Sequence, residues 1–260
     1  MVTKIRSFAE MLVKAETSRI GMDPLTLLEP NLSIGEAYSI QLENINKKVS
    51  KGQRITGKKI GLTSKAMQDL LGVNEPDYGH LLNTMIIENG GEISCTGLLQ
   101  PKVEAEIAFK LKKELTGPNV TVADVILATD YIVPSLEIVD SRIKDWQIKL
   151  VDTIADNASS GLYVLGGTPT KVDDVDLELM GMAFYKNGVI ANTGAGAAAL
   201  GNPAICVAWL ANKLAEYNIS LKAGEIILSG ALSAAVEAKP GDVFTAKFAC
   251  LGEVSVHFVD

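Results

Sequence analysis

Histidine and cysteine are scarce: the 260 residues contain only His80 and His257, and only Cys95, Cys206 and Cys250. Two histidines this far apart exclude a His-x-x-x-His zinc helix and leave few candidates for a histidine-centred triad. The cysteines are odd in number, widely spaced and without a Cys-x-x-Cys motif. They are expected to be reduced thiols packed as small hydrophobes, in a cytoplasmic protein. No cysteine has a histidine nearby in the sequence, which argues against a catalytic thiol. Aromatics make up 5% of the chain, net charge is −7, and the lysines and arginines are scattered. That balance offers neither a stacking platform and basic patch for nucleic acid nor a polybasic membrane surface. No apolar run reaches the roughly 18 to 20 residues of a membrane span. The first residues are amphipathic, so no signal peptide is expected. What remains is a chain 47% hydrophobic and 21% charged, long enough to bury a core without staples.

Residues 1–50 read as a helical N-terminal segment, and residues 51–260 as a catalytic, strand-rich body joined to it in one compact unit. Ser33 and Glu36 have capping-box spacing, and Tyr38, Leu42, Ile45 and Val49 form one helical stripe after them. Strands are predicted at 55–63, 103–111, 131–139, 161–167, 225–229 and within 242–258. Ser64 to Leu71 is predicted as a short helix ended by Gly72. Residues 74–79 read as a loop. Asn89-Gly90-Gly91 predicts a hairpin between 84–88 and 92–94, and Lys186-Asn187-Gly188 predicts another across 180–192. Thr121 is placed to cap a helix through Leu127, and Pro203 to open one running to Tyr217. Ile143, Trp146, Leu150 and Ile154 are buried candidates in an otherwise irregular stretch. The order is mixed α/β without regular βαβ winding.

Gly194-Ala195-Gly196-Ala197-Ala198-Ala199 matches a loose dinucleotide fingerprint. The preceding strands read as a hairpin and the helix starts too late, so nicotinamide binding is not expected. Carboxylates are the better lead. In the 103–111 strand, Val103, Ala105, Ile107, Phe109 and Leu111 share one face, while Glu104 and Glu106 share the other. Glu137 lies on a second predicted strand, and three hard oxygen donors suit Mg²⁺ or Mn²⁺. A merely solvated face would show the same pattern, and from the pattern alone the solvated face is the preferred reading. Taken by itself, Lys59 reads as a surface lysine at an exposed strand end, and Asp77 as a turn residue after proline. Arg142 and Asp145 are candidates for a structural pair.

Context lifts the acidic reading. Gly57-Lys58-Lys59-Ile60-Gly61-Leu62-Thr63-Ser64, Glu75-Pro76-Asp77-Tyr78-Gly79 and Gln100-Pro101-Lys102-Val103-Glu104-Ala105-Glu106-Ile107-Ala108-Phe109 resemble the 2-keto-4-pentenoate hydratase family. So do Glu137-Ile138-Val139-Asp140-Ser141-Arg142-Ile143-Lys144-Asp145-Trp146 and the segment from Asp152 to Ser159. That family includes 4-oxalocrotonate decarboxylases and belongs to the fumarylacetoacetate hydrolase superfamily. The likeness runs in order from about residue 20 to the C-terminus. It implies a strongly bent, mixed β-sheet or β-roll core with flanking helices, assembled as a homo-oligomer and in some cases with a related hydratase or decarboxylase. It also implies Glu104, Glu106 and Glu137 as ligands of Mg²⁺ or Mn²⁺, Lys59 and Asp77 as catalytic groups, and Leu62, Ser160 and Ser229 as substrate contacts. Three monodentate carboxylates leave positions for a small 2-oxo or 2-hydroxydienoic acid, whose 2-oxygen the cation would polarise.

The activity implied is hydration of 2-hydroxypenta-2,4-dienoate to 4-hydroxy-2-oxopentanoate, in the meta-cleavage degradation of aromatic compounds. The alternative is decarboxylation of 4-oxalocrotonate: Ser141 to Asp156 looks hydratase-like, whereas Ser229 to Val236 is similar to the decarboxylases. Carbon–carbon bond hydrolysis, which needs a His–Glu pair, has only His80 near a motif. A non-catalytic partner subunit is disfavoured, because every implied metal and proton-transfer position holds a competent residue.

Overall fold

The computed structural model describes residues 2–260. Helices α1 (Val2–Ser18), α2 (Leu25–Leu28) and α3 (Ile34–Ser50) come first. They are followed by β1 (Ile55–Gly61), α4 (Lys65–Leu71), β2 (Asp77–Leu82), β3 (Ile86–Ile87), β4 (Glu92–Ser94) and β5 (Lys102–Leu111). Next come α5 (Val122–Ala128), β6 (Thr129–Val139), α6 (Leu150–Ala155) and β7 (Ser160–Leu165). The chain closes with β8 (Gly181–Lys186), β9 (Val189–Ala195), α7 (Pro203–Ala215), β10 (Ile226–Leu228), β11 (Val236–Glu237), β12 (Val243–Phe248) and β13 (Gly252–Val259).

Local chemistry sets the element ends. The Ser33 side chain accepts from the Glu36 amide while Glu36 reaches back to Ser33, the reciprocal box expected from their spacing. Thr121 and Asp124 repeat the device on α5. Pro203 starts α7, with the Asn202 side chain accepting from the Ala204 amide. Asn187 and Gly188 both have positive φ, and the β8–β9 hairpin turns on them as expected.

Eight strands form one curled, mixed sheet in the order β2-β1-β10-β5-β6-β7-β3, with β11 attached to β5. The other sheet runs β4-β13-β12-β8-β9. One face of the curled sheet packs into the main core through Val103, Ala105, Ile107 and Phe109. Its other face is not solvated: Ala108, Val133, Tyr163 and Leu228 form a second buried cluster there. The glutamates of β5 therefore sit on a covered face, and the solvated reading of that face falls. No helix is long and apolar enough to cross a membrane among the described residues.

Several local expectations are corrected. Residues 84–94 are not a hairpin: β3 runs parallel to β7 in the curled sheet, while β4 runs parallel to β13 in the other. The Asn-Gly-Gly turn is a crossing point between sheets, held by the Gly90 amide donating to the Ser255 carbonyl. Asp77 to Gly79 belong to β2 rather than to a loop, paired with Gly61 to Lys59. On α3 the buried face is Ala37, Tyr38, Ile40, Gln41 and Ile45, and Val49 is exposed. Cys206 is buried and Cys95 half-buried, but Cys250 is exposed in a turn. Arg142 pairs with Asp156, not with Asp145, which is exposed.

Candidate metal and acid–base site

Antiparallel pairing of β5 with β6 sets Glu104 directly opposite Glu137, and Glu106 opposite Ser135. Like charges facing each other across a ladder repel. Here Glu106 and Glu137 are also fully buried, and Glu104 is half-buried at the open side. One carboxylate oxygen from each of the three lies within 4.8 Å of the others. Among their oxygens, Glu106 Oε1 and both oxygens of Glu137 have no hydrogen-bond partner. Glu106 Oε2 accepts the Gly230 amide at 2.9 Å. Gly230 has φ +102, and a Cβ there would sit 2.3 Å from Thr63 Oγ1, so the donor can come this close only as glycine.

The registers carry the inner face across the sheet. Lys59 aligns with Leu228 of β10 and Gly79 of β2, and Leu228 aligns with Ala108 of β5. The lysine ammonium reaches Glu137 Oε2 at 3.2 Å, an ion pair without hydrogen-bond geometry, and donates to the Ala158 carbonyl at 2.9 Å. Two residues from Gly79 on the same side of β2 is Asp77, also buried, with Oδ1 unpartnered. Lys59 and Asp77, which the sequence alone left as a surface lysine and a turn residue, thus join the glutamates.

Burial drives the electrostatics. It pushes the Glu104 carboxyl up to about 7, with Lys59 opposing and Glu137 and Asp77 reinforcing the rise. Burial followed by the charges of Glu137 and Glu104 holds Glu106 well above the ordinary carboxylate range. Glu137 is raised by burial, against the pull of Lys59. Asp77 is also raised by burial, which outweighs Lys59 and a hydrogen bond from Thr153. For Lys59 itself, burial favours the neutral amine, but Glu137, Asp77, Glu104 and Glu106 outweigh it and its pKa rises. Fully ionised, three glutamates against one lysine leave two negative charges, which a divalent cation would neutralise. The unpartnered hard oxygens and that charge deficit fit an ion such as Mg²⁺.

Of the expected substrate contacts, Ser160 opens β7 and Ser229 follows β10. Both hydroxyls are buried without a partner. Leu62 follows β1 at φ 57, half-buried, with its carbonyl taken by the Gln68 side chain. Sequence reasoning missed Thr153 on Asp77 and the Arg142–Asp156 pair behind Ser160; their contacts are made only by the fold. The glycines of the dinucleotide-like stretch have a packing reason. A Cβ on Gly194 or Gly196 would lie 2.0 Å from the Leu232 carbonyl or 1.6 Å from the Leu177 carbonyl.

The fumarylacetoacetate hydrolase C-terminal family profile matches residues 58–259, a span that contains every residue of this site. The chain belongs to this family. It is 47% identical over 250 residues to the 2-keto-4-pentenoate hydratase of Paraburkholderia xenovorans, covering 96% of this chain and 93% of that one. Identity with the 2-hydroxyhexa-2,4-dienoate hydratase of Comamonas testosteroni is 45% over 258 residues, 98% of each chain. The 4-oxalocrotonate decarboxylase of Pseudomonas putida, complexed with magnesium and adipate, superposes with a TM-score of 0.97. That comparison has 38% identity and covers 100% of this chain and 98% of that one.

Proposed function

We propose that the protein hydrates 2-hydroxypenta-2,4-dienoate to 4-hydroxy-2-oxopentanoate. The observation that carries this reading is the buried group of Glu104, Glu106 and Glu137 with Lys59 and Asp77 on the same sheet face. Hydratases at 45% and 47% identity over nearly the whole chain support the substrate class. Glu104, Glu106 and Glu137 would hold Mg²⁺ or Mn²⁺, which when bound supplies a Lewis acid for the substrate's 2-oxygen.

The protein's own groups account for the rest. Lys59 stays an ammonium, and it stands beside Glu137 where it can meet the substrate carboxylate or the 2-oxygen. Asp77, whose carboxyl burial raises above its ordinary range, has an unpartnered oxygen and can take, give or relay a proton. Ketonisation moves the proton of the 2-hydroxyl to C5 by way of such a relay. Water then adds across the remaining double bond, with hydroxyl at C4 and a proton at C3. Ser160 and Ser229 offer buried hydroxyls to the acid's oxygens, and Leu62 would be a further substrate contact. A cytoplasmic homo-oligomer, in which a related hydratase or decarboxylase can take part, belongs to the same proposal. Exposed Leu179, Val189 and Ile190 by the hairpin are apolar surface consistent with assembly.

Decarboxylation of 4-oxalocrotonate is the second reading, and one observation favours it. Lys102 shares the β5 face two residues from Glu104, its ammonium 4.3 Å from the Trp146 ring centroid. It makes no ion pair among the described residues, so it is available to a second substrate carboxylate. The test supplies Mg²⁺ with each acid and identifies products by NMR. Hydration of the dienoate without CO₂ supports the first reading; CO₂ released from 4-oxalocrotonate without dienoate hydration would replace it with the second.

A further inference from the structure

The segment Asp156 to Ser160 carries a conformation that needs an explanation. Asn157, Ala158 and Ser159 have φ of 56, 51 and 53°, three consecutive left-handed residues. Left-handed backbone crowds the Cβ of an L-amino acid against the following carbonyl, and alanine and serine have little to offset that strain. Ala158 and Ser159 are buried, while on its other side the turn borders a cavity of about 460 Å³ lined in part by Asp156, Asn157, Ser160 and Gly161.

Hydrogen bonds hold it at both ends. The Asn157 side chain accepts the His80 amide at 2.8 Å and donates to the His80 carbonyl at 3.0 Å. β2 is the terminal strand of the curled sheet, so this one amide occupies its free edge as a neighbouring strand would. Gly79 permits the approach, since a Cβ there would lie 2.4 Å from the Asn157 carbonyl. At the far end of the turn, Arg142 pairs with Asp156 and donates to the Ser160 carbonyl at 2.9 Å.

The turn delivers one group to the site: the Ala158 carbonyl, 2.9 Å from the Lys59 ammonium. That carbonyl takes one of three N–H donors on a flexible side chain whose other neighbour is Glu137. Without it, the ammonium would close on Glu137 and occupy an oxygen meant for the cation. We infer that Asn157 is a positioning residue for Lys59, clamping the turn to the edge of β2 so that the Ala158 carbonyl holds the ammonium between Glu137 and the substrate. The inference rests on the reading of Lys59 proposed above.

Two variants separate the clamp from the backbone conformation. Asn157→Gly accepts the left-handed φ but loses both hydrogen bonds; Asn157→Asp accepts it and keeps the acceptor for His80. The measurements are kcat and KM for dienoate hydration, and calorimetric binding of Mg²⁺ and then of oxalate, a flat dianion that needs Lys59 but no turnover. Misplacing a group by about 1 Å can cost on the order of 100-fold, so Asn157→Gly should lose about 10- to 100-fold in kcat and in oxalate affinity. Asn157→Asp should recover part of both, and Mg²⁺ affinity should stay near wild type in each variant. Wild-type kcat and oxalate binding in Asn157→Gly would overturn the inference. So would a parallel collapse of Mg²⁺ affinity in both variants, which marks general damage. Wild-type protein that binds Mg²⁺ and oxalate but does not hydrate the dienoate would overturn the functional reading alone, leaving the oxalate comparison to decide on Asn157.

Discussion

Replacing Glu106 by glutamine tests the cation site at a fully buried member. Glu106 is fully buried, one oxygen is tied to the Gly230 amide and the other is unpartnered. Burial and the charges of Glu137 and Glu104 hold its carboxyl well above the usual range, so an uncharged amide of the same shape escapes the penalty that burial places on the carboxylate. Folding stability without metal should therefore change by no more than about 1 kcal/mol, a hydrogen bond's net worth. Binding should change greatly, because the charge left for a divalent ion, after Lys59, falls from two to one. Losing a group that merely orients a metal ligand costs about 10- to 100-fold in affinity, so loss of a ligand itself should cost about 100-fold or more. At free Mg²⁺ of 100 times the wild-type Kd, wild type gains about 2.7 kcal/mol and the variant about 0.4. For a chain of this size the difference corresponds to roughly 5–9 °C in Tm. Differential scanning calorimetry with and without Mg²⁺ reads it directly, and turnover of the variant should be abolished. An equal Mg²⁺-induced shift in wild type and Glu106→Gln would refute the assignment of these ligands.

Cation binding should release protons, since Glu104 titrates at about 7 and Glu106 above its usual range in the ion-free site. Apparent Mg²⁺ affinity should then rise with pH from 6 to 8 by up to about tenfold per unit for each proton released; a flat profile in calorimetry would contradict it. Burial and Lys58 hold His80 down at about 3, so the folded protein keeps it neutral while the unfolded chain protonates below about 6.5. Stability from this group is complete above that value and lost as pH falls toward 3, at about 1.4 kcal/mol per unit. Urea unfolding at pH 7.5 and 5.0 should show a steeper loss in wild type than in His80→Gln; equal losses would dismiss His80 as the cause. Lys59→Met should lower kcat by about 10²- to 10⁴-fold, and steady-state rates within threefold of wild type would remove Lys59 from the chemistry.

Fold features written in short-range chemistry were legible before any coordinates. The Ser33 and Thr121 boxes, the Asn187-Gly188 turn and the Pro203 start each depend on a few neighbouring residues, and each is present as expected. Errors arose where a local signal has two long-range outcomes. Asn89-Gly90-Gly91 reverses the chain locally, but whether its flanks pair with each other depends on partners far away in sequence. Tyr163 and Val164 of β7 claim one flank, and His257 to Val259 of β13 claim the other. Asp77 to Gly79 looked like a loop because proline, aspartate and glycine favour turns. An edge strand tolerates such residues when β1 supplies the pairing on one side and the Asn157 amide caps the other.

The site shows the same division more sharply. Alternation along β5 fixes that Glu104 and Glu106 share a face, but it cannot say whether that face meets water or protein. Curling of the sheet decides this by closing Ala108, Val133, Tyr163 and Leu228 beneath the glutamates. Once covered, the same side chains become acids of raised pKa in need of positive charge, and Lys59 ceases to be an ordinary lysine. Motif resemblance named these residues because it carries the outcome of that curl, which periodicity in a single strand does not contain. Arg142, Asn157 and Thr153 lie one step farther out. Each acts through a carbonyl, a backbone edge or another side chain, and its chemical type is compatible with an ordinary turn. Their roles follow only from which atoms the folded chain leaves to be satisfied, so the supporting layer of this site is a property of topology more than of any motif.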